Sequence, residues 1–218
     1  MTRVIRFLFD YLSPYSYLAW TQIHALAGRN DAIVEPVPVL FAGLLDAHGQ
    51  KGPAEIPAKR LYIFKDVLRR AHALGVPLST PPSHPFNPLL ALRVSSIALP
   101  PGPRRALIDG LFRATWGGGP GVTEPEHILA IAKEAGLDGQ SLIDAAGAPE
   151  TKALLRRQTE DAIAAGAFGV PTLFIDDELF WGLDSLDFVE RHLRGEDMLD
   201  PEALARWSAT QPSANRIR

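Results

Sequence analysis

The sequence predicts an α/β fold in which a small sheet is interrupted, along the chain, by a long run of helices. Three observations predict it. Apolar runs of strand length lie near both ends, at residues 4–9, 33–39, 172–175 and 179–181. Segments of helical character, broken by proline and glycine, fill the interval between the second run and the third. Each end carries one further helix, so the order reads βαβ, six helices, ββα.

Val4, Ile5, Phe7, Leu8 and Phe9 are β-branched, aromatic or leucine residues, which suits a short buried strand. Asp10 to Pro14 break it. Ser13 is placed to cap the next helix and Pro14 to open it, because the first helical position does not use the donor that proline lacks. Tyr17, Leu18, Ile23 and Leu26 carry that helix to Gly28. A strand over Ile33 to Val39 contains Pro36 and Pro38, which place it at an edge or bulge. Helices are predicted over 55–74, 88–99, 103–115, 124–136, 138–147 and 149–166. Pro77, Pro81-Pro82, Pro100-Pro101, Gly117 to Gly121 and Gly147 separate them. Thr123 with Glu126 fits a capping box, and Gly136 suits the end of that helix. The GGGPG tract reads as a turn or lid rather than a linker, with a flexible surface loop the favoured reading. Thr172 to Ile175 and Leu179 to Trp181 are strands about an Asp176-Asp177 turn. A last helix runs from Leu183 or Asp184 to Leu193. Residues after Arg194 are polar and peripheral, with QPSANRIR expected to fray.

The βαβ and ββα ends together make a thioredoxin-like sheet, and the helices between them an inserted all-helical domain. The expected boundaries are 1–39 and 167–195 for the discontinuous thioredoxin-like domain, 40–166 for the insertion and 196–218 for a C-terminal extension.

The 218 residues are 46% hydrophobic and 22% charged, globular values for a chain able to bury a large core. A net charge of −3 gives no basic footprint for nucleic acid or a membrane surface. No stretch approaches a membrane span, and the N-terminus does not read as a signal peptide, so the cytoplasm is expected. There is no cysteine. Disulfide cycling, thiolate metal sites and a cysteine nucleophile are thereby excluded. His48, His72 and His84 lack metal-ligand spacing, and no metal is assigned.

Ser13-Pro14-Tyr15-Ser16 stands where helix amides point outward and stabilise an anion. Thiol oxidoreductases of this fold keep a cysteine pair at C-x-x-C there; this chain has S-x-x-S. Such a site suits a thiolate supplied by another molecule, with the Ser13 hydroxyl donating to it, although a serine before a proline-started helix is more often only a cap. Pro171, in Gly169-Val170-Pro171-Thr172, takes the place of the cis proline of this fold. The residue before it then offers its backbone to a peptide-like ligand, Val170 pairing with the cysteinyl unit of glutathione. An ordinary trans proline is the alternative. Near Phe180-Trp181-Gly182, amides at the start of the last helix suit the γ-glutamyl carboxylate and Asp184 its ammonium group; Asp184 as a helix cap is compatible with both.

DYLSPYSYLA and GVPTLFIDDELFWGLDSLDFVE, together with GLLDAHGQKGPAEIPAKRLYIFKD and HPFNPLLALR, resemble the 2-hydroxychromene-2-carboxylate isomerases. These group with the kappa-class glutathione transferases in the DsbA-like superfamily. The resemblance spans nearly all of residues 3–193. It implies glutathione as cofactor and Ser13 as the catalytic residue facing its sulfur, with Pro14 and Tyr15 beside it. Val170, Leu183 and Asp184 fall on the family's glutathione positions. Gln50 stands where the family usually has a glutathione-contacting asparagine; glutamine keeps the amide but adds a methylene, which leaves the contact either shifted or lost. Lys51, Lys59, Asn87 and Arg93 are candidates for a substrate carboxylate; for Asn87, capping the next helix is the likelier role.

The implied activity is the isomerisation of an aromatic, carboxylate-bearing small molecule. In the family this is 2-hydroxychromene-2-carboxylate, converted to a trans hydroxybenzylidenepyruvate in bacterial naphthalene breakdown. Glutathione thiolate adds to the opened ring, rotation follows, and elimination restores the thiol. A kappa-like transferase and a non-catalytic thiol-binding module are the alternatives. By analogy a homodimer is expected.

Overall fold

The computed structural model describes residues 2–214. β1 (Arg3–Phe9) leads into α1 (Pro14–Arg29), and β2 (Ala32–Pro38) returns parallel to β1, with Phe9 opposite Pro38. β3 (Thr172–Ile175) pairs antiparallel with β1, and β4 (Glu178–Trp181) antiparallel with β3. The strand order is β2-β1-β3-β4. Pro36 and Pro38 therefore stand on an edge strand, as their missing donors require. Two distant pieces of chain share one sheet, as the βαβ and ββα ends predict.

Between β2 and β3 lie α2 (Phe41–Ala47), a 3₁₀ turn (Pro53–Glu55), α3 (Pro57–Leu74), α4 (Leu89–Ser96), α5 (Pro101–Trp116), α6 (Pro125–Glu134), α7 (Gly139–Gly147) and α8 (Pro149–Ala164). A 3₁₀ turn (Leu183–Ser185), α9 (Leu186–Leu193) and α10 (Pro201–Ser208) follow β4. Proline recurs at the start of α1, α3, α5, α6, α8 and α10.

The two sheet faces have different partners, because alternate strand residues point opposite ways. Ile5, Phe7 and Phe9 of β1 join Leu173 and Ile175 of β3 against Leu18, Trp20 and Ile23 of α1. Leu8 and Phe174 face the other layer, with Val37, Val39, Leu44 of α2, Ala162 of α8 and Val170. The first core runs on into the helical segment. Phe112 of α5 lies 5.4 Å from Phe9, 4.7 Å from Tyr11 and 6.1 Å from Trp20 between ring centroids. Trp116 donates its indole N–H to the Tyr11 carbonyl at 2.8 Å.

Four local expectations need correction. α2 was not expected: at seven residues, with only Leu44 buried, it offers no helical period to read. The capping box at Thr123 does not form. Pro125 takes the first helical position, which moves the cap to Glu124, and no side chain bonds there. The GGGPG tract is folded onto α5 rather than loose. Gly121 N–H donates to the Ala114 carbonyl, and a Cβ on Gly119 would lie 2.6 Å from the Ala114 Cα. The segment beyond Arg194 contains α10, capped by Asp200, although none of its residues is buried. Of the segment expected to fray, residues 215–218 lie outside the described residues.

Candidate functional site

α1 starts directly after β1, so its unpaired amides gather at the carboxyl end of that strand. Ser13 is the N-cap: its Oγ accepts from the Ser16 N–H at 3.1 Å. The same hydroxyl donates to the Val170 carbonyl at 3.3 Å, a long bond and readily redirected. Capping is thus real and leaves the hydroxyl proton available. Pro14 is buried behind it in the first turn. The Val170–Pro171 peptide is cis. Among the described residues the Val170 N–H donates to no protein group. The sheet therefore brings residues 13 and 170 face to face.

Asp10 supports this corner. It is 1% exposed, and its carboxylate accepts from the Leu12 N–H and from the Phe41 N–H, both at 2.9 Å. One side chain thus joins the end of β1 to the start of α2. Burial pushes its carboxyl up to about 6, against the two amides that favour the anion. Thr159 of α8 accepts from the Leu40 N–H at 3.0 Å and secures the same end of α2.

Beyond α2, the His48 ring bonds the Ala167 carbonyl at 3.1 Å. Gln50, two residues on, is exposed on a loop thereby fastened three residues from Val170. On another side His84 bonds the Leu12 carbonyl at 3.0 Å. Phe64, Phe86 and Trp116 surround its ring at 5.5–6.4 Å between centroids. Burial lowers the affinity of His84 for a second proton, and Arg60 lowers it further, against the bond to Leu12. Arg60 also donates to the His84 carbonyl and lies over the Phe64 ring.

Tyr15, in the first turn of α1, donates its hydroxyl to Asp66 of α3 at 2.8 Å. Asp66 accepts a second bond from Arg70 Nε at 2.7 Å. Burial raises the Asp66 carboxyl, but the bonds from Arg70 and Tyr15 outweigh it and hold the group below its ordinary range. Burial and the adjacent Asp66 push the Tyr15 phenol up, so it remains a donor. Leu183 is buried at the start of its 3₁₀ turn. Asp184 follows, exposed, and makes no cap bond: Gly182 caps the turn and Ser185 precedes α9. A Cβ on Gly182, whose φ is +94°, would fall 2.5 Å from Asp184 Oδ1.

The substrate candidates are dispersed. Lys51 and Lys59 are exposed and enter no ion pair among the described residues. Asn87 accepts from the Leu89 N–H at 3.0 Å, but it is not the expected cap: Pro88 holds the N-cap position of α4, with no side-chain bond there. Arg93 is half-buried on α4, its Nε without a partner among the described residues. Sequence reasoning missed Asp10, His48, Asp66 and Arg70. Only the last two carried a readable sign, their i,i+4 spacing on a helix.

Sheet order, cis proline and capped first helix define a thioredoxin-type protein. The chain belongs to the DsbA-like thioredoxin family, whose model matches residues 4–194. It is 31% identical over 195 residues to the 2-hydroxychromene-2-carboxylate isomerase of Sphingobium xenophagum, covering 88% of this chain and 99% of that one. It is 27% identical over 216 residues to human glutathione S-transferase kappa 1, covering 92% and 95%. A solved 2-hydroxychromene-2-carboxylate isomerase superimposes with a TM-score of 0.79 at 26% identity, covering 94% of this chain and 98% of that one. Within the wider family the chain is thus a member of the 2-hydroxychromene-2-carboxylate isomerase group, beside the kappa-class transferases. No described helix is long and apolar enough to cross a membrane.

Proposed function

We propose that the chain is a glutathione-dependent isomerase of an aromatic carboxylate, of the 2-hydroxychromene-2-carboxylate type. The observation that carries the reading is the pairing of Ser13 with Val170 in a chain without cysteine. A hydroxyl with a redirectable proton, at a helix N-terminus, meets Val170, whose backbone N–H donates to no protein group among the described residues. These residues fit glutathione. The N-cap suits its sulfur, Val170 its cysteinyl backbone, and Leu183 with Asp184 its γ-glutamyl end. When bound, glutathione supplies a thiolate that adds reversibly to an electrophilic carbon and leaves again.

The protein's own part is electrostatic and positional. Ser13 donates to the sulfur and, with the α1 amides, stabilises its anion. Pro14 holds the first turn, and Gln50 reaches the cofactor from the loop that His48 fastens. The His84 ring, bonded to the Leu12 carbonyl, and the rings of Phe64 and Phe86 beside it offer an aromatic substrate a wall near this corner. Lys51, Lys59, Arg93 and Arg60 are the cations to try against its carboxylate. We read the protein as a cytoplasmic homodimer.

The relationship to kappa-class transferases favours a second reading in which the thiolate is consumed in a conjugate. Product analysis separates the two: an isomer with glutathione undiminished, or an adduct with stoichiometric loss. Calorimetric binding without turnover of any chromene or electrophile would indicate a binding module. Ser13→Ala should raise the thiol pKa of bound glutathione, read by thiolate ultraviolet absorbance, and slow turnover. If both stay unchanged, Ser13 is a cap and nothing more.

A further inference from the structure

Met198, Leu199, Leu204 and Trp207, in and just before α10, are 48–78% exposed. Leu204 and Trp207 stand three residues apart and share one face of the helix, with Glu202 and Arg206 on the other. Asp200 caps α10 and Pro201 opens it, so its start is written into the sequence. Eight residues do not hold a helix in water by themselves, and none of these is buried on the protein's own body. The segment lies beyond residue 194, where the family match ends. Its exit from α9 is tied down: the Glu196 N–H donates to the Arg191 carbonyl at 2.8 Å, and His192 bonds Asp197 at 3.0 Å.

α3 carries a counterpart. Of its 18 residues only Val67 and Ala71 are buried. Leu61, Tyr62, Leu68 and Leu74 are exposed on this one helix, whereas Ile33, Trp181 and Phe188 are exposed singly on three other elements. Leu61, Lys65 and Leu68 follow at intervals of four and three and form a stripe, with Arg69 next to Leu68. Lys65 and Arg69 are exposed and enter no ion pair among the described residues. The C-terminal segment is opposite in sign: between residues 195 and 209, Glu196, Asp197, Asp200 and Glu202 stand against Arg206 alone. Asp200 and Glu202 meet Arg206 only at 4.0 and 3.9 Å, in the open, where such contacts contribute little.

We propose that α10 and the residues leading into it dock on α3 of a second copy of this chain, apolar face on apolar stripe, with Lys65 and Arg69 opposite the carboxylates. The inference rests on the homodimer reading and names the surfaces that join the copies. Charge selects this pairing. α10 on α10 sets carboxylates against carboxylates, and α3 on α3 sets cations against cations, whereas α10 on α3 compensates both. A two-fold axis repeats the contact, each copy giving its α10 and receiving that of its partner, which doubles the area buried. Burial of one face supplies the stabilisation that so short a helix lacks.

Sedimentation velocity of the full chain across micromolar concentrations tests this. Trp207→Ala and Leu68→Glu, both at exposed positions, should each raise the dimer dissociation constant by about tenfold or more, with far-ultraviolet circular dichroism unchanged. Lys65→Glu with Arg69→Glu should do the same. Adding Glu196→Lys and Glu202→Lys to that pair should restore most of the loss, which damage to the fold would not allow. A dimer indifferent to all of these changes would overturn the docking while the homodimer reading stood. A wild type that is monomeric throughout would overturn both, whether α10 then lies on its own α3 or on nothing.

Discussion

Asp10→Asn tests whether the corner beneath Ser13 is held by a buried charge. The wild-type carboxyl is pushed from its ordinary 3.8 to about 6, chiefly by burial. A folded-state pKa above the unfolded one means that the unfolded chain ionises first. The stability tied to this group is therefore complete below pH 3.8 and is lost as pH rises through about 6. At 1.36 kcal/mol per pH unit the whole difference is about 3 kcal/mol, and about 2 kcal/mol of it falls between roughly pH 4.5 and 8. Asparagine does not titrate. It keeps one acceptor for the Leu12 and Phe41 amides and turns an N–H₂ group toward the other, a pH-independent cost of about 1–3 kcal/mol. Urea unfolding of both proteins, followed by tryptophan fluorescence at matched pH, reads the gap between them. Groups that titrate alike in both proteins cancel. The advantage of the wild type should shrink by about 2 kcal/mol from pH 4.5 to pH 8. A gap that stays flat, or widens with pH, would refute the argument that burial penalises this charge.

Phe112→Ala should destabilise by about 3–5 kcal/mol, because it empties the ring cluster where α5 meets β1 and α1. Fluorescence and far-ultraviolet circular dichroism should still report one shared transition; two separate transitions would show that sheet and helices are coupled through this contact alone. Gly182→Ala should cost about 1–2 kcal/mol, since φ is +94° there, and should weaken glutathione binding by displacing Asp184. Unaltered affinity in that variant would dissociate Asp184 from the ligand.

The parts of this fold that could be read from sequence were those in which one residue type has one strong physical preference. Proline at the start of a helix, proline in an edge strand and serine before a proline-started helix all found their expected places. For Pro171 the sequence left cis and trans both open, with cis favoured only by its place in the fold, and the structure has it cis. α2 was illegible because its single buried leucine gives no period. Its position depends instead on Asp10 and Thr159, which bond it from distant segments. Asp10 read only as the residue that stops a strand, and His48 only as a histidine without metal spacing. Tyr15 shows the same limit: nothing near it in sequence signals that its hydroxyl bonds a carboxylate 51 residues away.

The bond between Ser13 and Val170 also has a temporal side. During synthesis Ser13 leaves the ribosome roughly 150 residues before Val170, and closing so long a loop carries an entropic cost that the contacts of the intervening helices must offset. A chain that stops before β3 has Ser13 without Val170, so the pair on which the proposed glutathione site rests exists only once the last hairpin is in place.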